Sequence, residues 1–216
     1  MGPEYLPPHI KKICTVFDGD KLTLNKTKEL FATGLHSHKE AKALANEWIG
    51  FHFNEQVENA ISKSDHFAYE GHFREASTWK VIETFKKNGY SIHMIFFGLI
   101  NVERSAMRVL ERALSGGHNV SLAEIDLNYH GNLLQLDRHY KILNELRVID
   151  TSETAPKVLL QLLNNEVVFC APLFDLPDWF TAYLIKHYQT IISKCIGWLH
   201  VNPFTNLKPI TLRYLR

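Results

Sequence analysis

Short apolar runs alternate with amphipathic stretches along this chain, and that alternation limits its possible folds more than any other feature. Four runs read as strands: KKICTVFD (11–18), HFAYEG (66–71), YSIHMIFFGL (90–99) and LRVIDTS (146–152). The apolar residues of KKICTVFD are contiguous rather than alternating, which marks a strand buried on both faces. Between the runs lie helical patterns. A short helix spans Asn25–Phe31 and Gly34 ends it. A long one covers 37–62, with Ser37 as N-cap and Ala41, Leu44, Ala45, Trp48, Val57 and Ile61 near the helical period. A third runs from Ser77 to Lys87 around Trp79, Val81, Ile82 and Phe85, and Asn88-Gly89 closes it. Asn101 caps a helix through Leu114, stopped at Gly116-Gly117, and residues 122–146 form another long helical stretch. KVLLQLLNNEVVFC (157–170) reads as two β runs about an Asn164-Asn165 turn, and Pro177–Lys194 as a closing helix. The expected fold is α/β: one domain over 1–216, a mostly parallel sheet with helices on both faces, and a small C-terminal β-hairpin plus helix. KKICTVFD and YSIHMIFFGL are expected to pair in that one sheet.

Composition narrows the function classes. Apolar residues make up 45% and charged residues 22%, as in an ordinary globular protein. A formal net charge of +1 gives no basic field for nucleic acid. No stretch reaches the roughly 18 apolar residues of a membrane span, and the start of the chain lacks a signal-peptide core. Three cysteines far apart in sequence argue against a disulfide framework and for a reducing, cytoplasmic setting. Twelve histidines invite a metal reading, but the close pair His36-Ser37-His38 has no Cys or acid at ligand spacing, so no metal site is expected.

The chemistry-bearing stretch is TVFDGDKLTL (15–24), where Asp18 and Asp20 flank Gly19 at a strand end. In parallel α/β folds ligands lie beyond the carboxyl ends of the strands, and Glu70 and the segment after Leu99 fall on the same expected rim. The two-residue spacing of acids is that of a haloacid-dehalogenase-type phosphatase. That chemistry usually continues with a small β-branched residue, whereas Lys21 and Leu22 follow here, and the chain has no Asp-Asp pair downstream for magnesium.

Taken in order, FAYEGHF, TFKKNGYSIHMIFFGL, VERSAMRVLERALSGGHNVS, LNYHGNLLQL and RVIDTS resemble the zeta toxin family of nucleotide-dependent small-molecule kinases, with FDGDKL where that family carries its catalytic aspartate. The resemblance covers roughly residues 12–195 and is most specific in RVLERALSGGHNVS. It implies a P-loop kinase-like fold and an ATP- and Mg2+-dependent transfer of phosphate to a hydroxyl of a nucleotide-sugar-like molecule, such as UDP-N-acetylglucosamine. It also implies an antitoxin protein as a possible partner. On this reading Asp20 is the base that takes the hydroxyl proton, while Asp18, Glu70 and His72 bind substrate. Arg108 and Arg112, four apart on one helix, face the phosphates. Gly116, Gly117 and His118 form a lid. The phosphate loop Gly-x-x-x-x-Gly-Lys-[Ser/Thr] is absent from the sequence, so the chain reads as an N-terminally incomplete domain of this type. The alternative is a non-catalytic relative that binds a nucleotide-sugar or a protein.

Overall fold

The computed structural model describes residues 6, 8–114 and 120–181. The chain divides into two compact units, Met1–Tyr90 and Ser91–Arg216. The first holds α1 (Pro8–Ile13), β1 (Val16–Asp18), α2 (Gly19–Ala32), α3 (His38–Lys63), β2 (Ala68–Glu70) and α4 (Ala76–Lys87). The second holds β3 (His93–Gly98), α5 (Val102–Leu114), α6 (Leu122–His139), β4 (Glu145–Asp150), β5 (Lys157–Leu163), β6 (Glu166–Cys170) and the helical turn Asp178–Phe180.

In the first unit β1 and β2 pair in parallel, with Asp18 opposite Glu70. A parallel pair needs a long crossover, and α2 and α3 supply it. Helix α3 starts as the sequence expects: Ser37 and Glu40 form a capping box, the Glu40 carboxylate accepting from the Ser37 N–H at 2.8 Å and the Ser37 hydroxyl accepting from the Glu40 N–H at 3.3 Å. Ala41 and Ala45 are fully buried on α3, small residues where two helices approach closely. Beneath the strands lies an aromatic cluster of Phe17, Phe53, Phe67, Tyr69, Phe73, Trp79 and Phe85, with ring centroids 5–6.5 Å apart, many tilted or edge-on. Two polar tips are satisfied on backbone carbonyls: Trp79 Nε1 donates to Phe73 O at 3.1 Å and the Tyr90 hydroxyl to Ala60 O at 2.7 Å.

In the second unit the strand order is β3-β4-β5-β6. β3 and β4 are parallel, joined through α5 and α6, whereas β4–β5 and β5–β6 are antiparallel. Asn164 and Asn165 form the predicted hairpin turn, both with positive φ (49° and 66°), as a two-residue turn that matches strand twist requires. Such a turn leaves no room for a crossover helix, so β6 returns antiparallel. The core is built on β4 and β5, where Leu146, Val148, Ile149, Leu159, Leu160 and Leu162 are buried, with Ile125, Leu133 and Leu136 of α6.

Three sequence expectations change. The described strands form two sheets, not one mostly parallel sheet, and β1 pairs with β2 while β3 pairs with β4. The hairpin is part of the second sheet rather than an appendage. KKICTVFD is a strand only over its last three residues; Pro8–Ile13 is helical, since the predicted strand start overlaps the end of α1. The closing helix begins at Asp178 with Pro177 as N-cap, and its remainder to Lys194 lies outside the described residues. No helix among the described residues is long and apolar enough to cross a membrane.

Candidate functional site

The first unit brings three of the predicted acids to one end of the β1–β2 pair. Asp18 ends β1 with extended backbone (φ −105°, ψ 95°) and N-caps α2, its Oδ1 accepting from the Lys21 N–H at 2.9 Å. The short helix expected over Asn25–Phe31 begins earlier, with Gly19 as the first helical residue and Asp20 in the first turn, where the helix dipole favours an acid. Glu70 ends β2 directly across from Asp18. Burial pushes the Glu70 carboxyl above its ordinary range, and the negative charge of Asp18 adds to this. A hydrogen bond to Asp18 and, last, the charge of Asp20 act in the same direction. Two carboxyl groups set side by side do not ionise independently, so Glu70 binds its proton more tightly than an isolated glutamate, while Asp20 is exposed. The arrangement sets three carboxyl groups at one strand end, where they can hydrogen-bond a ligand carrying several hydroxyls.

His72 lies exposed in the segment after β2, two residues beyond Glu70. Arg108 belongs to the second unit, on α5. Its Nη1 donates to the Thr151 hydroxyl at 3.1 Å and its Nη2 to the Thr151 carbonyl, so α5 is tied to the end of β4. Arg112 follows four residues later on α5; its side chain, and Gly116, Gly117 and His118 entirely, lie outside the described residues.

The start of α2 does not suit the phosphates of the Mg-ATP that the resemblance implies. Phosphates bind at helix starts through free backbone N–H groups. At the start of α2 the chain's own Asp18 already takes the Lys21 N–H, and Asp20 adds a second negative charge. Among the described residues no group of three or more His, Cys, Asp or Glu side chains is placed to hold a metal ion.

Sequence reasoning passed over two polar clusters in the second unit. Glu145 is 3% exposed, yet its carboxylate meets His93 Nδ1 at 2.8 Å and accepts from Arg147 Nε and Gln161 Nε2, both at 3.0 Å. These side chains come from β3, β4 and β5, and only strand register joins them. Asp150 ends β4 and accepts from Ser152 and Trp179. An acid closing an apolar run, as in RVID, is the same signal that pointed to Asp18. Compared with known proteins, the chain matches no family model, no curated protein and no solved structure.

Proposed function

We propose that the chain binds a hydroxyl-rich, nucleotide-sugar-like small molecule at Asp18, Asp20 and Glu70, in the manner of the acceptor site of a zeta-toxin-type kinase. The observation that carries this reading is the parallel register that sets Asp18 against Glu70 with a raised proton affinity, with Asp20 in the first turn of the helix that Asp18 caps. In this reading Glu70 and Asp18 hold one sugar hydroxyl between two carboxyl groups. Asp20, the exposed carboxylate, accepts the proton of the hydroxyl that becomes the nucleophile. Phosphoryl transfer to that hydroxyl is the reaction the resemblance assigns. The misfit of phosphate at the start of α2 favours the second reading, in which the same site binds without catalysis.

Calorimetric titration of the full chain with UDP-N-acetylglucosamine, with UDP as the sugar-free control, tests the proposal. It expects saturable binding that needs the sugar and that Asp20→Asn weakens about tenfold or more, the scale of one lost charged hydrogen bond. Phosphorus NMR after adding Mg-ATP separates the kinase, which forms a phosphorylated sugar, from the binding module, which does not. Absence of sugar-dependent binding refutes both.

A further inference from the structure

The second unit carries two opposite charges at the end of β4, Asp150 and Arg108, that form no ion pair with each other. Asp150 is held through one oxygen: its Oδ1 accepts from the Ser152 N–H at 3.1 Å, the Ser152 hydroxyl at 2.6 Å and Trp179 Nε1 at 3.2 Å. Its Oδ2 has no hydrogen bond or ion pair among the described residues, and Asp150 is half-buried. Arg108 is held next to it in sequence terms, on Thr151, which is itself fixed: the Thr151 N–H and hydroxyl both donate to Gly98 O, at 2.9 and 3.0 Å. No carboxylate among the described residues lies within ion-pair distance of Arg108.

Opposite charges at one strand end commonly pair with each other, yet neutral groups hold Arg108 and Asp150 instead, in fixed positions. Both sit at the carboxyl ends of the parallel pair β3–β4, the side of such a sheet where ligands bind.

We infer that Asp150 and Arg108 together bind a small molecule carrying an anionic group with a hydrogen-bond donor, an amine or hydroxyl, close beside it. The anion meets the guanidinium and the donor meets Asp150 Oδ2. A phosphate ester of an amino alcohol and an amino acid share this chemistry. The inference uses none of Asp18, Asp20 or Glu70, so it stands or falls apart from the proposed function. A purely structural Asp150 needs only Oδ1 as acceptor, a duty that asparagine also performs, and this divides the two roles.

The indole N–H of Trp179, bonded to Asp150, is a local reporter. Its signal in the 15N spectrum of the full chain is assigned with Trp179→Phe, then followed while O-phosphoethanolamine, glycine, inorganic phosphate and ethanolamine are added separately to millimolar concentration. A saturable shift with O-phosphoethanolamine or glycine is expected, and the tighter of the two tells whether the anion is phosphate or carboxylate. Asp150→Asn, which keeps the acceptor for Trp179, is expected to weaken that binding about tenfold or more, as is Arg108→Gln. The inference is overturned if neither two-headed probe moves the signal, if inorganic phosphate or ethanolamine binds as tightly, or if Asp150→Asn binds like the wild type.

Discussion

Replacing Gly98 by alanine tests the packing that holds the end of the second sheet together. A Cβ at Gly98 would stand 2.0 Å from Trp179 Cη2 and 2.2 Å from Cζ2, far inside contact distance. The indole is 3% exposed and rigid, so no flexible chain end can yield; the whole ring must move. Moving it stretches the 3.2 Å hydrogen bond from Nε1 to Asp150. Overpacking of this kind costs about 1–3 kcal/mol, and a hydrogen bond to a charged group adds about 1.5–3 kcal/mol. Alanine also restricts the unfolded chain, returning about 0.4–1 kcal/mol. The expected net loss is about 3 kcal/mol, a large share of a typical stability of roughly 5–15 kcal/mol. Urea unfolding followed by tryptophan fluorescence and circular dichroism measures it. Trp179→Ala alone costs about 3–5 kcal/mol, and Gly98→Ala added to that variant is expected to cost less than about 1 kcal/mol, since the obstacle is gone. The reasoning fails if Gly98→Ala is within about 0.5 kcal/mol of wild type, or if its cost is the same with and without Trp179.

Three further expectations concern the first unit. Glu70 holds its proton more tightly when folded, so its penalty on stability is absent below the ordinary value of 4.5 and grows as pH rises through the folded value; Glu70→Gln should flatten that part of the profile and raise the urea midpoint at neutral pH. The Tyr69 hydroxyl is buried with no hydrogen-bond partner among the described residues, so Tyr69→Phe is expected to leave stability unchanged or raise it by about 1 kcal/mol in thermal or urea unfolding; a clear loss would mean that the hydroxyl has a partner. Ser37→Ala removes the acceptor for the Glu40 N–H and is expected to cost about 1 kcal/mol. The Glu40 carboxyl is held below its ordinary value first by the Ser37 hydroxyl, so its contribution is present above 4.5 and lost as pH falls through the lower folded value, a loss that Ser37→Ala should blunt.

Features governed by local chemistry were legible in the sequence. Ser37 announced the start of α3, Asn88-Gly89 closed α4, and Asn164-Asn165 gave the hairpin. Pairing partners were not, because contiguous apolar residues say that a strand is buried but not beside which neighbour. So β1 was matched to β3, although its three residues lie along β2. The start of α2 was placed too late, at Asn25: glycine between two acids is a weak helix signal, whereas Asp18 caps a helix that Gly19 begins. The acids at the strand ends were readable as candidates. That Asp18 faces Glu70, that Arg108 rests on Thr151, and that Asp150 holds Trp179 depend on register and on contacts 29–52 residues apart, which no spacing rule encodes.

The most direct test of the acceptor site follows the side-chain carboxyl carbon of Glu70 by 13C NMR across pH, in the free chain and with saturating UDP-N-acetylglucosamine. The account predicts a midpoint above the ordinary glutamate value in the free chain, lowered by Asp18→Asn, and a signal that moves when the sugar binds. An ordinary midpoint, with a signal the ligand leaves unmoved, would contradict it.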